Sequence, residues 1–401
     1  MKVAVVGCGI AGATVAWQLA RRGHAVTVFE QAQQCGPVGA GILLQPSGQR
    51  VLQQLGLLEA VIDQSARIDS LHARHRKGGT LVKLHYQRLS PELAGYGVRR
   101  SLLFDLLLER CRDCGAQILE GQRMESVTEH SDGVQLNPST EHSDLFDLVV
   151  AADGSRSALR GQPGQTERVT EYADAALWTL GPYDGDPTCL LQVAGRCGRL
   201  IGMLPVGNGQ CSFFWGLKKA EERDLRSRGI DYWKQQVADF FPAASSIIAP
   251  LDTLDGVPFA TYRTITLRTL GSGRVVFAGD AGHPTSPHLG QGLNLALEDA
   301  IHLVHAIEHT SDPVAAIAAF DRQRRRKTRF YTQLTGLLTP FLQTSSRILQ
   351  FGRDLTLPVM PHLPYLGRQM VLTMAGLKSG WLTAEPIPHT RLSEDNENMA
   401  N

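Results

Sequence analysis

Neither sign of charge dominates this sequence: 40 lysines and arginines stand against 39 aspartates and glutamates in 401 residues. That balance leaves no basic face of the kind that neutralises phosphates, so nucleic acid is excluded as a partner. Cysteine is sparse and unpatterned. The seven thiols, at positions 8, 35, 111, 114, 189, 197 and 211, form neither the ladder of a disulfide scaffold nor the paired knuckles of a zinc site. Cys111 and Cys114 fall inside a helical pattern and read as packing, and no metal is expected. Long hydrophobic runs are missing too. The most apolar stretch, 3–20, is broken by Gly7, Gly9 and Gly12, and no cleavage-type segment follows it. The uncharged part of 330–346 contains Thr, Gln, Ser and Pro. No integral membrane segment is expected, and the chain reads as cytoplasmic, long enough for two domains and a substantial core.

What is present begins at the first residues. Lys2–Val6 has the β-branched composition of a short buried strand, and Ile10–Arg22 has helical periodicity through Ile10, Ala13, Trp17 and Ala20. Between them the glycines fall at Gly-x-Gly-x-x-Gly spacing. Gly7 permits the tight turn, Gly9 lets backbone approach a pyrophosphate, and Gly12 lets the helix close on the strand. The helix start, at Ile10 and Ala11, presents free N–H groups to phosphate oxygens. Ala25–Phe29 reads as the next strand, and Glu30 at its end is placed to accept hydrogen bonds from an adenosine ribose. Strand, helix, second strand and terminal carboxylate together predict a dinucleotide site.

Two further strand-and-turn signatures follow. Leu145–Ala151 reads as a buried strand running into Asp153-Gly154 and the basic stretch ending at Arg160. Arg274–Ala278 reads as another, running into Gly279-Asp280-Ala281-Gly282-His283-Pro284, then Gly290-Gln291-Gly292-Leu293-Asn294 and a helix Leu293–Ile307. In this order the three signatures resemble those of the class A flavoprotein monooxygenases, the family built like p-hydroxybenzoate hydroxylase. The resemblance spans residue 1 to about 330, and it is strong in the motifs and weak between them. It departs at Gly282, where the family usually has alanine.

The resemblance implies an α/β protein: a Rossmann-like FAD-binding domain, an inserted β-sheet substrate domain and C-terminal helices. The FAD-binding domain is expected at 1–70, 96–165 and 262–330, and the substrate domain at 71–95 and 166–261. A helical segment is expected at 331–384 and a polar tail at 385–401. Cofactor contacts are expected from Gly7, Gly9, Ile10, Ala11, Gly12 and Glu30. Gly41 would pass beside the flavin ring, and Arg100, with Arg99 as the competing choice, would open a helix against the cofactor. Asp153 marks the central turn. Gly279 and Asp280 would hold the ribityl chain, Pro287 would lie beside the ring, and backbone N–H groups along Gly290, Gln291, Gly292, Leu293 and Asn294 would face its N1–C2=O edge. Glu298 and Asp299 read as structural, and the basic run 320–327 as a solvated helix face in preference to the family helix packed against the FAD domain that it resembles.

Between the second and third signatures, Ile201–Val206 and Gln210–Leu217 flank Gly207-Asn208-Gly209 and predict a β-hairpin. Alternation puts Cys211, Phe213 and Trp215 on one face and Ser212 and Phe214 on the other. Cys211, Phe213 and Trp215, with Pro287, are taken as the substrate-pocket candidates, ordinary core being the competing reading.

By resemblance, NADH or NADPH reduces FAD, O2 adds to give a flavin C4a-hydroperoxide, and one oxygen atom passes to an aromatic or similarly electron-rich small molecule. No acid or base is assigned. The partners are the small-molecule substrate and O2, acting on a monomer or homodimer. A flavin-dependent reductase or dehydrogenase of the geranylgeranyl-reductase type is the alternative. The Trp-x-Trp-x-Ile-Pro motif of flavin-dependent halogenases does not occur.

Overall fold

A computed structural model describes residues 1–37, 39–138, 144–161, 166–195, 198–343 and 346–388. Cys197 and most of the expected polar tail lie outside the described residues.

Four sheets organise the chain. The first has six strands in the order 271–272, 275–277, 148–151, 2–6, 25–29 and 117–119. All neighbours are parallel except the 271–272 edge. Lys2–Val6 sits inside this sheet, and Val3, Ala4 and Val5 are fully buried. A strand covered on both faces needs that continuous apolar run rather than alternation. Helices Ile10–Ala20, Arg100–Asp113 and Gly292–Glu308 pack on one face around Val15, Leu107 and Leu303. On the other face a small sheet (124–129, 134–138, 145–146) closes over Val149 and Phe277.

The second large sheet has seven strands in the order 259–267, 166–182, 210–218, 200–207, 189–194, 70–75 and 80–85. The hairpin turns at Asn208, whose φ is 53°. Strand Phe259–Leu267 pairs along Thr166–Leu177, so residues 262–267 belong to this sheet. The boundary expected at 262 falls in mid-strand because the Gly-Asp signature begins only after this strand has returned to the first sheet.

Strands 41–44, 66–68 and 95–99 form a three-stranded bridge between the two large sheets. Asp312 caps the helix Pro313–Leu342 by accepting from Val314 N and Ala315 N. Helices Arg347–Thr356 and Pro364–Met374 follow it. Among the described residues no helix is long and apolar enough to cross a membrane.

Candidate functional site

The first turn is shaped by close contacts. A Cβ on Gly7, whose φ is +98°, would lie 2.5 Å from Ala152 O, and one on Gly12 would lie 1.9 Å from Gly7 O. Only glycine fits at either place. At Gly9 a Cβ would meet nothing within 4 Å among the described residues, so the backbone in front of Ile10 and Ala11 is open. No acidic side chain occupies the first turn of that helix, which leaves its N–H groups available to an anion. Glu30 closes this end. Its Oε2 accepts from Cys8 N at 2.7 Å and its Oε1 from Ala32 N at 2.9 Å.

The two distant glycine signatures touch. Gly279 has φ +58°, and a Cβ there would come within 2.9 Å of the Ala11 methyl. Asp280 beside it is open to the cleft but otherwise walled by protein. Burial pushes its carboxyl above the usual range, against the pull of His283, Arg100 and Arg160. Its Oδ1 lies 3.6 Å from the Cβ position of Gly292, at the start of helix Gly292–Glu308. Arg100 stands nearby, its guanidinium 3.7 Å from the Cβ position of Gly39 and its backbone N–H donating to Ala40 O at 2.9 Å. Arg99 instead reaches Gln64. The structure therefore brings Arg100, not Arg99, to the cleft.

The central signature joins the same assembly. Asp153 Oδ2 accepts from Ala158 N at 3.1 Å. Arg160 donates to Ala281 O at 2.7 Å and Asp280 O at 3.3 Å, and also to Ser155 O. This arginine ties the Asp-Gly turn to the Gly-Asp loop. Nothing in the sequence marks it beyond its basic charge.

The side chains of Asn294 and Gln291 are taken up by protein. Asn294 is fully buried; it donates to Leu43 O and Gly290 O and accepts from Gln45 N. Gln291 donates to Met374 O at 2.7 Å and Thr373 O at 3.2 Å. Their side chains clamp the Gly290–Gly292 loop between strand 41–44 and the C-terminal helix, and only backbone and Leu293 remain for the cleft. Gly41 approaches protein: its N–H donates to Ser212 Oγ at 3.0 Å, and a Cβ would strike the Ser212 Cβ at 2.5 Å.

The hairpin faces are also corrected. Cys211, Phe213 and Trp215 are at most 2% exposed and pack with Trp233, Val237 and Ile247 beneath helix Glu222–Phe240. Ser212 and Phe214 point the other way, Ser212 to Gly41 and Phe214 among Tyr172, Leu200 and Tyr262, and they too are buried. The basic run 320–327 is a further correction. Arg324 and Lys327, 2% and 3% exposed, form buried ion pairs with Glu298 and Asp299, whose structural reading holds.

These residues fit FAD: open backbone at Gly9, helix N-termini at Ile10 and Gly292, carboxylates at Glu30 and Asp280, and a cation at Arg100. A mostly parallel sheet with dinucleotide turns, joined to a largely antiparallel sheet, defines an FAD-dependent flavoprotein. The profile of the FAD binding domain family matches residues 1–335. The chain belongs to that family and, within it, to the p-hydroxybenzoate hydroxylase-like monooxygenases. It is 29% identical over 345 residues to 3-amino-4-hydroxybenzoate 2-monooxygenase of Streptomyces cremeus, covering 82% of this chain and 84% of that one. It is also 29% identical over 349 residues to the FAD-dependent urate hydroxylase of Klebsiella pneumoniae, covering 82% and 87%. The crystal structure of Klebsiella pneumoniae HpxO complexed with FAD and uric acid superposes with a TM-score of 0.79 at 25% identity, covering 94% of this chain and 97% of that one. The fold of p-nitrophenol 4-monooxygenase PnpA from Pseudomonas putida DLL-E4 matches with a TM-score of 0.79 at 20% identity, covering 94% and 98%. The protein is an FAD-dependent monooxygenase of a family that uses NAD(P)H.

Proposed function

We propose that this monooxygenase hydroxylates a small aromatic or heteroaromatic ring held between the Ser212–Phe214 face of the seven-stranded sheet and the Pro287 loop. The observation that carries this reading is the Gly41–Ser212 hydrogen bond, which brings that sheet face against the strand leading to the cofactor cleft. Bound FAD, reduced by NADH or NADPH, supplies activation of O2 and transfer of one oxygen atom.

The chain's own groups bind, orient and exclude water. Gly7, Gly9, Gly12 and Glu30 hold the adenosine and pyrophosphate end. Asp280 accepts a ribityl hydroxyl, and Arg100 offsets negative charge beside it. The N-terminus of helix Gly292–Glu308 stabilises charge on the ring edge. Phe214 and its aromatic neighbours keep the reacting face dry, which limits loss of oxygen as peroxide. On this reading the FAD-binding part is carried by the parallel sheet and its helices, and the substrate part by the seven-stranded sheet. The partners are the small-molecule substrate, O2 and the nicotinamide, served by a monomer or homodimer in the cytoplasm.

Turnover under 18O2 tests the reading. One labelled atom in the product per NAD(P)H consumed supports it. Label confined to water or peroxide, with the product merely reduced or dehydrogenated, replaces it with the reductase alternative.

A further inference from the structure

One polar cluster stands outside these roles. The sheet face carrying Ser212 continues through Phe214 and Gly216, which pair with Trp178 and Ala176 on the next strand. The rings of Phe214 and Trp178 lie 5.2 Å apart. Tyr262, from strand Phe259–Leu267, meets His288 edge to face with centroids 6.0 Å apart, and His288 directly follows Pro287. Its Nε2–H donates to Gln343 Oε1 at 3.1 Å, and its Nδ1 accepts from Ser286 Oγ at 2.9 Å. The Gln343 amide nitrogen lies over the sheet, 2.6 Å from where a Cβ on Gly216 would be, so any side chain at 216 would push it away.

Two donors flanking His288 have no hydrogen-bond partner among the described residues: Tyr262 Oη and Gln343 Nε2. Their residues are 5% and 1% exposed. Buried polar groups are almost always paired, and one left unpaired in a native structure calls for an explanation. Here both occur beside the loop that flanks the flavin ring, in an aromatic surround. The cluster offers no net positive charge. Burial holds His288 neutral, with its pKa down at about 4. The carboxylate that acts on Tyr262, Asp174, is itself paired with Lys218 at 2.6 Å. Arg353, which donates to Leu342 O beside Gln343, is paired with Asp354 at 2.8 Å, and Arg199, which donates to Gly216 O, is paired with Glu221 at 3.2 Å. Among the described residues a buried carboxylate ligand would find donors here but no uncommitted countercharge.

We propose that Tyr262 and Gln343 anchor the recognition end of the substrate, and that this substrate is an uncharged planar ring with a hydrogen-bond acceptor, such as the carbonyl of a quinolone or pyridone. It is not an aromatic carboxylate. The proposal rests on the monooxygenase reading and deepens it by naming the substrate class.

The test titrates the FAD-loaded protein with 4-quinolone and with 4-quinolone-2-carboxylate, following the flavin absorbance change. The wild type binds 4-quinolone, and the carboxylate binds at least roughly tenfold more weakly. Tyr262→Phe and Gln343→Leu each raise the 4-quinolone Kd by roughly 3- to 10-fold. Tyr262→Phe leaves the Tm of the ligand-free holoprotein unchanged or higher, because the hydroxyl it removes has no partner there. Equal or tighter binding of the carboxylate, or binding of neither probe, overturns the proposal. So does a Tyr262→Phe protein with lowered Tm and unchanged affinity, since the hydroxyl would then serve the fold. Binding that behaves as expected while no 18O enters product removes the monooxygenase reading alone.

Discussion

The carboxylate of Asp299 accepts a hydrogen bond from the backbone N–H of Gly279 at 2.9 Å, so a residue two turns into a helix fixes the loop that presents Asp280. The same carboxylate is shared by His283 Nε2 and, through its other oxygen, by Arg324 at 2.8 Å. Arg324 and Lys327 then bind Glu298, and Lys327 and Arg50 bind Glu385. A continuous chain of ion pairs runs from the Gly-Asp loop to the C-terminal segment.

Removing Asp299 leaves Arg324 with part of its countercharge gone and the Gly279 N–H without its acceptor. Asp299→Ala is expected to lower unfolding stability by about 3–5 kcal/mol in a urea titration of the holoprotein. Burial alone would push the Asp299 carboxyl up, but His283 and Arg324 bring it down to about 2 from a usual 3.8. A depressed folded pKa means this contribution is complete above pH about 4 and is lost as the pH falls toward 2. Wild-type stability should therefore drop across that window, and Asp299→Asn should flatten the drop. An unchanged profile in the variant would show that this carboxylate does not govern acid stability.

Asp280→Ala tests the flavin contact itself. Loss of a charge-assisted hydrogen bond of about 1.5–3 kcal/mol corresponds to roughly 10- to 150-fold weaker FAD binding. The expected outcome is a mostly colourless protein with near-normal melting behaviour, since Asp280 faces the cleft. Wild-type flavin content would remove Asp280 from the cofactor assignment.

Glu30 works differently from a carboxylate that touches only a ribose. Both its oxygens already accept backbone N–H groups, from Cys8 and Ala32. In Glu30→Gln the amide NH2 would confront one of those donors, so the glycine turn is disturbed as well as the ribose contact. FAD affinity should fall by about tenfold, and Glu30→Arg should nearly abolish it. Normal FAD retention by Glu30→Arg would move the adenosine away from residues 1–30.

The glycine signatures were legible in the sequence because Gly7, Gly12 and Gly279 answer backbone demands that no other residue meets, as Gly7 does against Ala152 O. Through the resemblance, the order of the signatures implied a single site, and the close approach of Gly279 to Ala11 brings the first and last of them together. Side-chain direction was less legible. Alternation along 210–218 defines two faces but does not say what covers each, and the helix bearing Trp233 and Val237, which covers one of them, comes later in the chain. Arg324 and Lys327 look like solvated charges because their partners, Glu298, Asp299 and Glu385, lie 25 or more positions away. Tyr262 and Gln343 belong to no motif at all. What marks them is burial without partners on either side of His288.

His288 gives a second pH window, separate from the carboxylate one. Burial lowers its pKa from a usual 6.5 to about 4. The unfolded chain takes up this proton near pH 6.5 and the folded protein does not until about 4. The stability contribution is thus complete above 6.5, declines as the pH falls from 6.5 to 4, and is constant below that, on the order of 3 kcal/mol in all. Chemical denaturation at half-unit pH intervals should show this slope in the wild type. His288→Gln should remove it while leaving the fall below pH 4. A slope that persists in the variant would belong to another group.

The two faces of the hairpin separate stability from coupling. Trp215 packs edge-on against Phe240 at 5.7 Å, lies beneath Arg199 and is 2% exposed. Trp215→Ala should destabilise the protein by about 3–5 kcal/mol through the cavity it leaves, with little change in peroxide released per NAD(P)H by the fraction that remains folded. Phe214 lies on the opposite face, against Trp178 and over Gly202. Phe214→Ala opens space where water must be kept out, so peroxide release should rise relative to hydroxylated product. Both variants are compared at equal FAD content, with peroxide and product measured against nicotinamide consumed. If Trp215→Ala uncouples turnover and Phe214→Ala does not, the substrate lies under the helix-covered face and the assignment of the two faces is reversed.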